Sequence, residues 1–206
     1  MKNTLLFLFL TILISTYSCK KEEKKAEIKD TGSKTMYTVL NKDIIITWTG
    51  YKTTEKIPVK GTFKNVELLN TKDAESPAGV IHDLKFRVPV AGIFSKDSIR
   101  DYKLVNFLFA NMKNTLTIDG KISLQEPDQG TATLSLNGFK KDVPVTYTVK
   151  GEEIHIKTSI DLNNWQAQAA VKALNDVCSE KHKSKDGISK TWSEVGIDVI
   201  VKTTKK

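Results

Sequence analysis

Cysteine, histidine and arginine are all scarce in this chain, and each shortage removes a class of function. Among 206 residues there are two cysteines, Cys19 and Cys178. That is too few for a disulfide framework. The three histidines, His82, His155 and His182, announce no Ser–His–Asp arrangement. There is no G-x-S-x-G elbow and no glycine-rich phosphate loop behind a strand. The chain is therefore expected not to be an enzyme and to carry no catalytic cofactor. Of its 32 basic residues only Arg87 and Arg100 are arginine. The charge of +8 and pI near 9.3 thus lack the forked residue that phosphate and base recognition prefer. The lysines are spread along the whole chain. No nucleic-acid partner is expected; a weak attraction to anionic lipid headgroups fits better.

An apolar run long enough to span a bilayer, about 20 residues, is also missing. The strongly apolar stretch from Leu5 to Ile14 follows the positive Lys2 and leads through small residues to Cys19. That order predicts a secretory leader over residues 1–18. Thr16-Tyr17-Ser18-Cys19 resembles a lipobox, with Thr16 where Leu is usual. Cys19 is then the site of lipid attachment and the first mature residue; the alternative is ordinary cleavage nearby and a free thiol. Residues 19–34 begin with Lys20-Lys21-Glu22-Glu23-Lys24-Lys25, cannot bury a core, and read as a flexible charged tether. Lys21-Glu22-Glu23 resembles the surface-export signal of some Bacteroidota lipoproteins, and a plain spacer explains it equally well. The expected location is the cell envelope, with the chain anchored through acylated Cys19 to the outer membrane, at its periplasmic face or at the cell surface.

Residues 35–206 form one expected domain, undivided by any Pro/Gly/Ser linker, and a 39% hydrophobic content allows a core. Alternation of apolar and polar residues, the mark of a half-buried strand, recurs throughout. It is seen at Ile44-Ile46-Trp48, Ile57-Val59-Gly61-Phe63, Leu84-Phe86-Val88 and Leu116-Ile118-Ile122-Leu124. It returns at Ala132-Leu134-Leu136, Val143-Val145-Tyr147-Val149, Ile154-Ile156-Ile160-Leu162 and Val195-Ile197-Val199-Val201. Gly120, inside one run, is expected to mark a bend or bulge. Asn137-Gly138 and Lys150-Gly151-Glu152-Glu153 are hairpin turns. Short, evenly spaced strands point to a sandwich or a closed barrel, and the barrel is favoured because closure removes exposed edges. About eight antiparallel strands are expected, enough to enclose one small ligand.

Two segments depart from this pattern. Trp165, Ala169, Ala173 and Val177, with Ala170 and Leu174, recur at helical spacing and predict a helix over 164–179 lying against the sheet. Asn163 is its expected N-cap, with Gln166 three residues on. Ser98–Met112 predicts one or two short helices across a barrel mouth, and Leu69–Ala78 an exposed loop. Cys178 and His182, four apart, share a face if the helix persists. Such a pair would lower the thiol pKa or bind a soft metal; a buried thiol beside a surface histidine is the plainer reading. His82 is expected at a loop end and His155 facing solvent. Arg100 and Asp101 would orient a headgroup at the mouth, or form an ordinary loop ion pair or cap.

A family resemblance joins these pieces. Val59-Lys60-Gly61-Thr62-Phe63 resembles the V-x-G-x-F signature near the start of the YceI-like family. Ser98-Ile99-Arg100-Asp101-Tyr102-Lys103-Leu104 and Leu108-Phe109-Ala110-Asn111-Met112 resemble its Arg-Asp segment and the stretch that follows. Ile118–Ile122 and Leu134–Gly138 are similar to its later strands and hairpin. Trp165–Cys178 and Lys190–Val195 look like the Bacteroidota lipoprotein branch. The resemblance implies an extended, lipocalin-like antiparallel barrel with a long apolar cavity, in which some members bind polyisoprenoid chains. The chain departs from lipocalins in placing Gly50 after Trp48, and from the simplest family members in its anchor and extra helix.

An apolar interior suits an oily ligand, since burying apolar area gives about 25 cal/mol per Å² and such walls leave no polar group unpaired. The candidate lining is Trp48, Val59, Phe63, Phe86, Val88, Phe107, Leu134, Leu136, Val145, Tyr147 and Val199. The same residues also serve as plain core, given how densely interiors pack. Three readings follow: an anchored protein holding an isoprenoid or acyl lipid, an envelope interaction module with a filled barrel, or a thiol or metal protein centred on Cys178 and His182.

Overall fold

The computed structural model describes residues 34–114 and 116–206. The leader, Cys19 and the tether up to residue 33 lie outside the described residues. From there the alternating runs become strands β1 (Tyr37–Thr38), β2 (Ile44–Lys52), β3 (Ile57–Phe63), β4 (Glu67–Leu68), β5 (Leu84–Pro89) and β6 (Ile93–Phe94). They continue as β7 (Thr117–Gln125), β8 (Gln129–Leu136), β9 (Phe139–Lys150), β10 (Glu153–Asp161), β11 (Thr191–Lys202) and β12 (Thr204–Lys205). Ten of them form one antiparallel sheet in the order β4-β5-β7-β8-β9-β10-β11-β2-β3-β6; β1 pairs with β12 apart from it. Setting aside the two-residue β4 and β6, eight strands build the wall.

Connectivity makes this sheet curl. β5 lies near one end of the strand order and β6 at the other, yet only the short 3-10 turn Val90–Gly92 separates them. At about 3.3–3.6 Å per residue, so short a link holds the two ends of the sheet close together. The native right-handed twist bends the sheet the same way. The result is a curled antiparallel half-barrel: the strands are those the alternation implied, and the lipocalin-like form is the one the family resemblance implied.

The hairpins follow local chemistry. Asn137 and Gly138 both take positive φ, 50° and 76°, the requirement of a tight turn whose twist matches its strands. Gly151, φ 62°, does the same between β9 and β10. Gly120 corrects an expectation. The pairing of β7 with β5 and β8 runs through it in unbroken register, so there is no bulge. Its role is close approach: a Cβ there would lie 2.3 Å from Phe86 Cζ across the strand pair.

Among the described residues four α-helices attend the sheet: α1 (Pro77–Ile81), α2 (Ser98–Lys103), α3 (Gln168–Val177) and α4 (Ser179–His182). α1 starts inside the otherwise exposed 69–78 segment, capped by Ser76, whose hydroxyl accepts from Gly79 N at 3.1 Å. α2 runs on through a π turn, Leu104–Leu108, and a 3-10 turn, Phe109–Asn111. α3 begins later than its periodicity suggested. Asp161 accepts from Asn163 N at 2.9 Å and starts a 3-10 turn, Leu162–Trp165, while Gln166 turns left-handed at φ 55°. The Asn163 capping box therefore does not form. The inner stripe of α3 is Ala167, Ala170, Leu174 and Cys178, all buried; Ala169 is exposed.

The interior divides along its length. α1 packs against β1, β7 and β10 and buries Val80 and Ile81 completely, in the core cluster that also holds Leu124, Val145, Tyr147 and Ile154. Tyr147 N donates to Asp128 O in the β7–β8 turn, which places this packed half at that end. Towards the other ends of the same strands the filling is different, and there the cavity lies.

Candidate functional site

A cavity of about 220 Å³ occupies the half of the interior that faces α2 and α3. Its wall is built by strand alternation. β2 supplies Ile46 and Trp48, β3 Val59 and Phe63, β10 Ile160, and β11 Val195 and Ile197. Ile160 and Val195 are cross-strand partners, so one register position sets both. α3 closes one side with Val171, Leu174 and Cys178, and the α2 segment another with Leu104, Leu108 and Phe109. Trp48 is fixed from two directions: its indole Nε1 donates to Thr62 O at 3.3 Å, and its ring lies across Gly61, where a Cβ would sit 2.2 Å from Cζ2. This explains the Val59–Phe63 motif. The glycine makes room for the ring, and its two apolar flanks line the same hollow.

The cavity reaches solvent beside α2 and α4, where the lining Ile99 is 61% exposed. This rim is charged. Lys52, Asp97, Arg100, Lys103, Lys181 and His182 belong to it. Asp97 caps α2, accepting from Arg100 N at 3.0 Å, and pairs with the Arg100 guanidinium at 3.3 Å. Lys103 Nζ donates to Val177 O at 2.5 Å, tying α2 to the last turn of α3.

A YceI-like domain model matches residues 37–199. The chain belongs to the YceI-like family. Among solved structures it is similar to a polyisoprenoid binding domain from Saccharophagus degradans implicated in plant cell wall breakdown. The TM-score is 0.60 at 10% identity, covering 82% of this chain and 98% of that one. It is also similar to Burkholderia cenocepacia BcnA, with a TM-score of 0.52 at 14% identity over 81% of this chain and 99% of that one. A Campylobacter jejuni YCEI protein gives 0.50 at 16% identity over 72% and 85%. At such identities the likeness is one of fold. No curated protein matches the chain by sequence.

The candidate lining residues fall into distinct places. Trp48, Val59, Phe63 and Leu136 line the cavity, and so does Arg100. Leu134, Val145 and Tyr147 are buried in the packed core instead. Phe86 covers Gly120, and Val88 is buried elsewhere in the interior. Val199 packs against the core from a half-buried position, and Phe107 is half-buried with its ring edge-on to Tyr102 at 6.3 Å. Asp101 turns away from the rim, accepting from Ser95 N at 2.9 Å and from Ser95 Oγ at 2.6 Å. Arg100 therefore pairs with Asp97 and not with its neighbour. The contributions of Ile160, Val195 and Trp192 are visible in the sequence only as strand residues. Those of Val171 and Leu174 require knowing which face of α3 turns inward.

Cys178 and His182 do share the cavity lining, but their chemistry runs against a reactive pair. Burial raises the Cys178 thiol above its usual range, outweighing the nearby lysines, so thiolate is disfavoured. The described residues hold no group of three or more metal-ligating side chains. His82 ends α1, and His155 is half-buried against Glu153.

His182 carries a pH prediction. Its Nδ1 lies 2.6 Å from Thr191 Oγ1, and burial, followed by Lys52, Lys103 and Arg100, pushes its pKa down to about 4. An unfolded histidine titrates near 6.5. The unfolded chain therefore takes the proton first, and stability present above pH 6.5 is lost as pH falls towards 4. After allowance for solvent screening the loss is about 1–2 kcal/mol. Urea midpoints at pH 7 and pH 4.5 should differ more for the wild type than for His182→Gln; equal differences would refute the assignment.

Proposed function

We propose that this protein holds an amphiphilic lipid, of isoprenoid or acyl type, in its interior cavity, and does so in the cell envelope, tethered through acylated Cys19. The observation that carries the reading is the cavity itself: apolar walls from seven strands and from the α2 and α3 segments, with a charged rim where it meets water. An apolar chain gains by entering such a space because it leaves water without stranding a polar group. The family and the polyisoprenoid binding domain among its structural neighbours support the same class of ligand. The test is to purify the chain gently, extract it with organic solvent and identify lipid by mass spectrometry. Stripped protein should then regain lipid, while Val195→Trp, which puts an indole into the hollow, should cut uptake by about 10-fold or more, equivalent to 1.4 kcal/mol. No extracted lipid and no uptake would defeat the proposal.

The cavity's modest volume favours a second reading. About 220 Å³ is below the usual range of roughly 300–1,000 Å³ for ligand pockets, and α3 closes one side of it. If α3 stays in place, the barrel is a filled scaffold whose outer face or loops meet another envelope protein. Lipid uptake by the stripped chain separates the two readings directly.

A further inference from the structure

Four cations stand on the cavity lining, against one carboxylate. Lys52 ends β2, Arg100 and Lys103 stand one turn apart on α2, and Lys181 lies on α4. Residues three apart on a helix are neighbours on its surface, so the α2 pair faces the mouth together. The single lining carboxylate, Asp97, is already engaged with Arg100. Among the described residues, Arg100 is the one of the four with a carboxylate within 4.0 Å. Lys52 and Lys103 each give a bond to a backbone carbonyl, Lys181 O and Val177 O, and an ammonium carries three donors. Donors therefore remain for a guest. The fields of these side chains meet at the inner end of the mouth: Lys52, Lys103 and Arg100 all act on His182, and Lys181 joins them at Cys178.

Resting on the lipid-cavity reading above, we infer that the guest is an amphiphile with an anionic head, a phosphate or carboxylate on an apolar chain, and that Lys52, Arg100, Lys103 and Lys181 hold that head at the rim. The chain is selected by the apolar walls. The head is selected because a neutral one leaves Lys52, Lys103 and Lys181 without an anionic partner beside a low-dielectric wall, where charge-assisted hydrogen bonds are strongest. A lone anion gains nothing from the walls, and a neutral lipid gains nothing from the rim.

The test uses the full chain, stripped of lipid, with Trp48 and Trp192 in the cavity lining as fluorescent reporters. The probes are farnesyl phosphate, farnesol, palmitate, hexadecanol and inorganic phosphate. An anionic probe should bind at least about 10-fold more tightly than the alcohol of the same chain, a difference of 1.4 kcal/mol. Added salt should reduce that preference. The double variant Lys52→Gln/Lys181→Gln should weaken the anionic probes far more than the alcohols and reduce the preference to about 3-fold or less, the sign that charge and not folding was lost. Preference confined to farnesyl phosphate assigns the head as phosphate, preference confined to palmitate as carboxylate, and both together as charge alone. Inorganic phosphate should not compete; if it does, head and chain are not read together and the inference fails. If farnesol binds as tightly as farnesyl phosphate and hexadecanol as palmitate, the head inference is overturned and the lipid cavity stands. If no chain-bearing probe binds, the cavity reading falls first and takes the inference with it.

Discussion

Replacing Trp165 by alanine should cost about 3–5 kcal/mol, the range for removing a buried aromatic from a core that cannot fully collapse. Trp165 is 1% exposed, among the most deeply buried large side chains described. It sits where β10 gives way to α3, so its anchoring fixes the direction in which the helix leaves the sheet. Its indole Nε1 donates to Leu134 O at 3.3 Å, and the backbone around it is held by the hairpin turn, Asn137 Nδ2 donating to Trp165 O at 2.7 Å and to Gln166 O at 3.1 Å. Truncation loses the apolar burial and the indole bond together. Trp165→Phe keeps most of the apolar volume and loses the bond, so about 1–2 kcal/mol is expected. Urea denaturation read by circular dichroism measures both. A loss below about 1 kcal/mol for the alanine variant would mean that α3 is held by something other than this anchor. The prediction also reaches the cavity, because Val171 and Leu174 on α3 form one of its sides.

Much of this arrangement is written in the sequence, and the remainder fails to be legible for definable reasons. Period-two alternation decides which side of a strand faces inward, and the eight long strands follow from it. It says nothing of how far along the barrel a residue lies. Val145 and Tyr147 alternate as well as Trp48 and Val59 do, yet the first two are buried away from the cavity and the second two line it. That difference is set by the order of strands and by which helix covers which end. Gly120 misled for a related reason. A glycine within a strand signals a bulge or a close approach, and only the cross-strand partner Phe86 decides between them. The start of α3 shows local competition. Asn163 is a good cap by type, but Asp161, two residues earlier at the end of β10, accepts Asn163 N and starts a tighter turn first. The cationic rim is the hardest feature to see in the sequence. Lys52 and Lys181 are 129 positions apart, and their convergence, Lys52 Nζ reaching Lys181 O at 3.4 Å, belongs to the fold alone.

Gly61→Val should damage both the fold and the cavity, and the geometry says why. Gly61 is the register partner of Trp48, and the space where its side chain would stand is taken. A Cβ there would lie 2.2 Å from Trp48 Cζ2 and 2.7 Å from the Phe94 carbonyl oxygen. The carbonyl belongs to β6, the strand that ends the sheet, so the clash cannot be relieved by a rotamer change alone. Overpacking of this kind costs about 1–3 kcal/mol, occasionally more. The upper end is expected here because an aromatic ring and a strand must both move. Gly50→Ala is the control. Gly50 also lines the cavity from β2, but a Cβ there would meet nothing within 4 Å, so a change of about 0.5 kcal/mol or less is expected. The decisive comparison is the double variant Trp48→Ala/Gly61→Val. Removing the ring frees the space the valine needs, so the double should be more stable than the sum of the two single losses implies, by about 1 kcal/mol or more. Strict additivity would show that the ring is not what the glycine accommodates. If coupling is found, the V-x-G-x-F signature is a steric device. Its glycine lets a tryptophan lie flat against the sheet, and the valine and phenylalanine beside it complete a wall that an oily chain can rest on.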